Sequence, residues 1–254
     1  MRLPEVVRCV RFAATLSRAA ANIRLSETIC HDVWPLSLRS SRHVGLVAVT
    51  KDGCALRFAA DNLQADRTVV LAAVTQSGYA IQYAAEHLRA DMDVVLVAVA
   101  RHGYALEHAG ANLRADKDVV LAALAQNGYA LRFATDNLQA DRGVVLAAVA
   151  RHGVAIRYAA ERLRADKDVV LVAVARDAYA LEHAAVNLRA VKDVVLAAVA
   201  QDGCALKYAA ANLRTNMDVV LAAVAQSGGA LRHATEYMGV DDDVVRVASR
   251  RTPL

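Results

Sequence analysis

The stretch that decides the fold is residues 118–138, which read Asp-Val-Val-Leu-Ala-Ala-Leu-Ala-Gln-Asn-Gly-Tyr-Ala-Leu-Arg-Phe-Ala-Thr-Asp-Asn-Leu. Closely similar stretches recur with a period of 25 residues: eight copies fill residues 42–241, and a ninth half-copy follows. Each copy carries a glycine at the same position, except that Ala178 replaces it once. A fixed period of this kind indicates stacked units that bury a continuous core only when they pack together.

Each repeat has two apolar segments, and both favour helix. The first, residues 118–126, is rich in alanine, which is common in helices and depleted in strands. The second, residues 105–113, places Ala105, Leu106, Ala109 and Leu113 on one helical face. The glycine then suits a left-handed residue that ends the first helix, which would leave Ala178 strained. The sequence therefore predicts an all-α fold, an α-solenoid of about eight 25-residue two-helix repeats with degenerate capping ends.

The repeat also resembles a known family. The motif is an acidic residue, Val-Val-Leu-Ala-Ala-Val, a glycine turn, Ala-Leu-x-Tyr-Ala and a closing Leu-Arg, and it is clearest in residues 193–214 and 118–138. It resembles the repeats grouped as domain of unknown function 4116, and the resemblance covers residues 42–249. Membership would imply short helical tandem repeats and brings no catalytic residues with it, because the family has no assigned activity.

The two ends of the chain depart from the repeat. Residues 1–41 are predicted to form a degenerate N-terminal capping repeat and an irregular segment. The alternative for residues 1–24 is an organelle transit peptide, because their five arginines face a single acidic residue. Residues 242–254 are predicted to form a C-terminal capping half-repeat and tail, since Arg246 and Ser249 stand where other copies carry apolar residues.

Composition argues against a membrane span and a disulfide scaffold. The longest apolar runs are seven residues, such as residues 219–225, whereas a spanning helix needs about 20. The cysteines at positions 9, 30, 54 and 204 form no Cys-x-x-Cys pair and follow no secretory signal. We therefore expect an intracellular protein in the cytoplasm, or in an organelle if residues 1–24 act as a targeting segment.

The charge balance bears on nucleic-acid binding. The formal net charge is +4, but residues 42–241 carry 21 basic and 21 acidic side chains, so the repeats contribute none of the excess. Binding to phosphates needs clustered lysine and arginine. The sequence therefore favours a protein or peptide partner over a nucleic acid.

The residues that could carry chemistry are scattered along the array. His108, His183 and His233 share one repeat position, and His183 and His233 lie two repeats apart, too far to share one zinc ion. They are expected at the edge of the core, with His102 and His152 in turns. Cys54 and Cys204 occupy a position that is tyrosine in four other copies, so we interpret them as small packing residues and not as nucleophiles. We expect no catalytic residue, cofactor site or metal ligand.

Two columns of polar side chains repeat along the array. The first is asparagine, and it predicts either a hydrogen-bonded ladder between repeats or recognition of a ligand backbone; its members are Asn62, Asn112, Asn137, Asn187 and Asn212. The second, which we call the polar row, borders an alanine-rich stripe that could hold an extended peptide or simply face solvent. The polar row consists of Lys51, Gln76, Arg101, Gln126, Arg151, Arg176, Gln201 and Gln226.

Repetition suits an extended binding surface better than a single active site. The sequence therefore predicts a non-enzymatic scaffold for protein–protein interaction. The alternative is a repeat protein that binds RNA or another single-stranded nucleic acid, because such proteins can read one base per repeat.

Overall fold

A computed structural model describes residues 38–234, which are helical and contain no strand. The described residues form two compact units, 38–134 and 135–234. The predicted all-α solenoid fold is confirmed. The predicted capping repeat, transit peptide and C-terminal half-repeat fall mainly on residues 1–37 and 235–254, outside the described residues, and stay predictions.

Each of the eight repeats has a long α-helix of ten residues followed by a six-residue 3-10 helix, and in the first seven a short turn follows within the described residues. In the first unit the long helices are α1 Arg42–Lys51, α3 Arg67–Gln76, α5 Met92–Arg101 and α7 Lys117–Gln126. The short turns between them are α2 Asp61–Gln64, α4 Glu86–Arg89 and α6 Ala111–Arg114. The 3-10 helices are Gly53–Phe58, Gly78–Tyr83, Gly103–His108 and Gly128–Phe133.

The second unit repeats this order. Its long helices are α9 Arg142–Arg151, α11 Lys167–Arg176, α12 Lys192–Gln201 and α14 Met217–Gln226. Its short α-helical turns are α8 Asp136–Gln139, α10 Glu161–Arg164 and α13 Ala211–Arg214. Its 3-10 helices are Gly153–Tyr158, Ala178–His183, Gly203–Tyr208 and Gly228–His233, and a short 3-10 turn at Leu188–Ala190 stands where an α-helical turn would be.

A side-chain cap begins six of the eight described long helices. Asp166, for example, accepts hydrogen bonds from the main-chain N–H groups of Asp168 and Val169 at 2.9 and 3.2 Å. Such a cap satisfies donors that have no partner inside the helix. Ser41 and Val191 are the two cap residues that make no side-chain hydrogen bond.

The second segment of the repeat is divided, whereas the sequence predicted one continuous helix. Residues 103–108 form a 3-10 helix, Ala109 and Gly110 are extended, and one α-helical turn follows. The extended pair turns the N–H of Gly110 toward the preceding repeat, where it bonds to the carbonyl of Arg89 at 2.7 Å. A hydrogen bond between repeats thus takes the place of one inside a helix.

The prediction of a left-handed glycine was wrong. None of Gly53, Gly78, Gly103, Gly153 and Gly203 has a positive φ, and each begins a 3-10 helix. Glycine is required at these positions because the next repeat approaches closely, and a Cβ there would collide with a carbonyl oxygen in its long helix. Ala178 begins its 3-10 helix in the same way, so no left-handed strain is stored at that position.

The core is built from the same positions in each repeat. In the repeat around α7 it contains Val119, Val120, Ala123 and Leu124 from the long helix and Leu131 from the 3-10 helix, all at most 1% exposed. The core of the described residues contains no polar or charged side chain. Apolar burial therefore stabilises the array, and polar groups act on its surface.

Between residues 38 and 234, no helix combines the length and apolarity needed to cross a bilayer.

Candidate functional site

The repeats are tied together by main-chain hydrogen bonds, where the sequence suggested asparagine side chains. In the first unit the N–H groups of Ala85 and Gly110 donate to the carbonyls of Gln64 and Arg89. In the second unit the equivalent bonds join Ala160 to Gln139, Ala185 to Arg164 and Ala210 to Arg189, each at 2.9 Å. This ladder fixes the register of neighbouring repeats within each unit.

Main-chain hydrogen bonds thus make the connection that the sequence assigned to the asparagine side chains. All five are exposed to solvent rather than half-buried. Asn62 does reach the preceding repeat, where its amide donates to the carbonyl of Ser40 at 3.2 Å, and Arg162 makes the equivalent contact with Ala140. Within residues 38–234, the side chains of Asn112, Asn187 and Asn212 make no hydrogen bond. The asparagine ladder is thus wrong for these three positions.

The polar row lies where the sequence placed it, as the last residue of every long helix, and all eight members are exposed. Several of its side chains reach back to the end of the preceding long helix. Arg101 Nε donates to the carbonyl of Thr75 at 2.6 Å, and Gln226 Nε2 donates to the carbonyl of Gln201 at 3.0 Å. Gln226 Oε1 also accepts from the N–H of Gly203 at 2.6 Å. These members of the row therefore satisfy free carbonyls at helix ends, and the hydrogen bonds fix the positions of their side chains.

A ladder of ion pairs runs along the other end of the long helices. Arg67 contacts Asp91 at 3.1 Å and Asp93 at 2.6 Å, and Lys167 contacts Asp193 at 3.1 Å. The spacing of 24 or 26 residues joins the first residue of one helix to the start of the next. Partial burial raises the pKa of Asp91, but hydrogen bonds from Arg67 and from main-chain N–H groups outweigh it and lower the pKa below its usual value. The acidic residues at the starts of the long helices thus stabilise the stacking of neighbouring repeats.

A second column, missed by the sequence reading, follows the short turns. It consists of Arg89, Arg114, Arg164, Arg189 and Arg214, which we call the arginine column. Each Nε atom is buried without a hydrogen-bond partner among the described residues, and each residue as a whole is half-buried. Their period of 25 was visible in the closing Leu-Arg of the repeat, but only the structure shows that they lack partners.

Two grooves open beside the arginine column. One, of about 550 Å³, lies in the second unit and is lined by Glu161, Arg164, Glu182, His183, Asn187 and Arg189. The other, of about 310 Å³, lies at the equivalent place in the first unit, beside Arg89, His108 and Asn112. Each groove thus presents guanidinium, imidazole and amide groups together with carboxylates, which are Glu161 and Glu182 in the second unit and Glu86 in the first.

The remaining candidate residues have structural surroundings. His183 ends a 3-10 helix half-buried, and burial lowers its pKa; burial also lowers the pKa of His152, which caps a turn as predicted. Cys54 and Cys204 are half-buried free thiols. Across residues 38–234 no group of three or more histidine, cysteine, aspartate or glutamate side chains could hold a metal ion.

Comparison with known proteins gives one family. The model of the family described as a domain of unknown function, DUF4116, matches residues 46–89, 91–139, 141–189 and 192–238. Each matched stretch spans about two of the 25-residue repeats. Comparison with curated proteins and with solved structures gave no match. The chain belongs to the DUF4116 family of helical repeat proteins.

Proposed function

We propose that this protein is a non-enzymatic scaffold that binds a protein partner along its repeated surface. One observation carries the proposal: the polar row presents an exposed polar side chain once per repeat, and Arg101, Arg176 and Gln226 are held by hydrogen bonds to the preceding long helix. Side chains that are already ordered lose less conformational entropy on binding than free ones. A regular, pre-ordered row suits a partner that spans several repeats.

A photo-cross-linking amino acid tests this proposal at single positions. We would introduce it at Gln201 in the polar row and, as the matched control, at Asp193 in the same long helix. The full chain would be incubated with a lysate of its source cells, treated with nuclease, washed at about 0.5 M salt, which strips phosphate-driven binding, and only then irradiated. We expect a defined protein to be cross-linked from Gln201 and not from Asp193.

Two results would contradict the proposal. Equal cross-linking from both positions would mean that the row is ordinary surface. Loss of all bound material on nuclease treatment or in high salt would favour the nucleic-acid alternative. A second variant set, Arg151→Ala with Arg176→Ala, should reduce capture of the same protein if the row contacts it.

A further inference from the structure

The arginine column combines features that a purely structural column would not need. Within the described residues its guanidinium groups form no ion pair, whereas the basic residues Arg67, Arg142 and Lys167 at the helix starts do. The Nε atoms of the five arginines are buried without a hydrogen-bond partner among the described residues. The Nη groups therefore remain as the donors that a ligand could reach.

We propose that the arginine column and its neighbouring asparagines form a binding site for an extended acidic peptide. The inference rests on the proposed binding role but uses a surface separate from the polar row. It is argued for the second unit, where Arg164, Arg189 and Arg214 stand in three consecutive repeats. A guanidinium group binds a carboxylate through two parallel hydrogen bonds, so the arginines would hold acidic side chains.

Two of the three arginines stand two residues after an asparagine that suits the peptide backbone. Asn187 and Asn212 precede Arg189 and Arg214 by two residues, are exposed and make no side-chain hydrogen bond among the described residues. An amide side chain can donate to a carbonyl and accept from an N–H at the same time. The asparagine would therefore hold the main chain of the peptide, while the arginine holds a side chain.

The main-chain ladder fixes the spacing of these groups. The carbonyls of Arg164 and Arg189 accept hydrogen bonds from Ala185 and Ala210 in the following repeats, both at 2.9 Å. One groove is lined by both Arg164 and Arg189. Packed helices lie about 8–10 Å apart, and three residues of an extended chain span about 10 Å. A peptide with an acidic residue at every third position matches one arginine per repeat.

The same surface is less suited to a nucleic acid. Glu161 and Glu182 line the groove in the second unit and would repel a continuous chain of phosphates. The aromatic and histidine side chains beside the column are half-buried, so they offer no exposed face for stacking bases. The two glutamates repel carboxylates as well, so the acidic side chains of the peptide would have to lie at the arginines and away from Glu161 and Glu182.

Fluorescence anisotropy with defined peptides tests the proposal. The probe is a labelled 12-residue peptide, Glu-Gly-Ser repeated four times, added to the full chain at about 0.05 M salt. The comparison peptides replace every Glu by Gln, or place the four Glu side by side. A labelled 12-nucleotide oligouridylate serves as the nucleic-acid probe. We expect the spaced acidic peptide to bind most tightly of the four.

Two sets of variants distinguish binding at the arginine column from general electrostatic attraction. Arg164→Gln, Arg189→Gln and Arg214→Gln together should weaken peptide binding about tenfold or more, given the strength of charge-assisted hydrogen bonds. The matched control, Arg142→Gln, Lys167→Gln and Lys192→Gln, removes the same charge from exposed ion pairs and should change it less than about threefold. Asn187→Ala with Asn212→Ala should also weaken binding without altering charge.

Several results would overturn the proposal. Equal weakening by both charge variants, or equal affinity for the clustered peptide, would show unspecific attraction. Tighter, column-dependent binding of the oligouridylate would assign the column to nucleic acid instead. No measurable binding of the spaced peptide would remove the site, while the cross-linking result at the polar row would still stand. Circular dichroism of each variant confirms that the repeats remain folded.

Discussion

Val191→Asp should stabilise the protein, because Val191 is a cap position without a cap. The helix Lys192–Gln201 begins there with no side-chain hydrogen bond. The backbone already has the right shape: Val191 has φ −89° and ψ 116°, and Asp166 has φ −82° and ψ 115°. An aspartate can therefore enter without strain and accept from the same main-chain N–H groups as Asp166 does.

The size of the effect follows from three contributions. A good cap stabilises a helix by about 1 kcal/mol relative to a residue that cannot cap. An added contact with Lys167, which already pairs with Asp193, contributes about 0.5 kcal/mol at an exposed site. Loss of the half-buried valine methyl groups costs roughly 0.7 kcal/mol. The net gain is about 0.8 kcal/mol, or an increase of about 2–3 °C in the melting temperature for a chain of this size.

Thermal and urea unfolding followed by circular dichroism would measure this change. Asp166→Val is the matched control, since it creates at a capped helix the situation now found at Val191, and it should lower the melting temperature. If Val191→Asp left the melting temperature unchanged or lowered it while Asp166→Val lowered it, the reasoning about the missing cap would be refuted.

Three further predictions concern the turn, the ion pairs and the histidines. Gly153→Ala should destabilise the protein by about 1–3 kcal/mol, because the new methyl group would collide with Ala173 and Asp177 in the next repeat. Ala178→Gly should lower the free energy of unfolding by about 1 kcal/mol, since Ala178 is buried in a 3-10 helix and is not left-handed; a rise of the urea midpoint on Ala178→Gly would contradict this. Asp91→Asn keeps a capping side chain but cannot ionise. The pKa of Asp91 in the folded state is below its unfolded value of about 3.9. The contribution of the carboxylate to folding stability is therefore present above that value and is lost as the pH falls through the folded pKa. Wild type and variant should then differ in urea midpoint at pH 6 and converge near pH 2. His183→Phe introduces a residue that other repeats carry at this position. Burial lowers the pKa of His183, so the wild type should lose stability as the pH falls from about 7 to 5, through the unfolded pKa of about 6.5. The variant should lose less stability over the same range. Identical pH profiles of the urea midpoint for the two proteins would contradict this.

The candidate surfaces were predictable to different degrees. The polar row could be found from the sequence because its members share one position on a regular helix. The arginine column has the same period, yet a sequence shows only that arginines recur and not that their Nε atoms are buried without partners. The asparagines were misjudged for the same reason, because the main-chain ladder that replaces their contacts depends on extended residues such as Gly110 that no helical pattern reveals.

The sequence by itself determined the all-α class, the period of the array and the residues of the core. These follow from local patterns, since alanine content, the Val-Val-Leu pattern and the aspartate caps act within one repeat. Only the tertiary structure decided why each repeat carries a glycine and where its second segment breaks. Both depend on how closely one repeat approaches the next: the glycine makes room for a carbonyl oxygen of the following repeat, and the break turns an N–H toward the preceding one. A distance between residues 20 or more positions apart cannot be read from either segment alone.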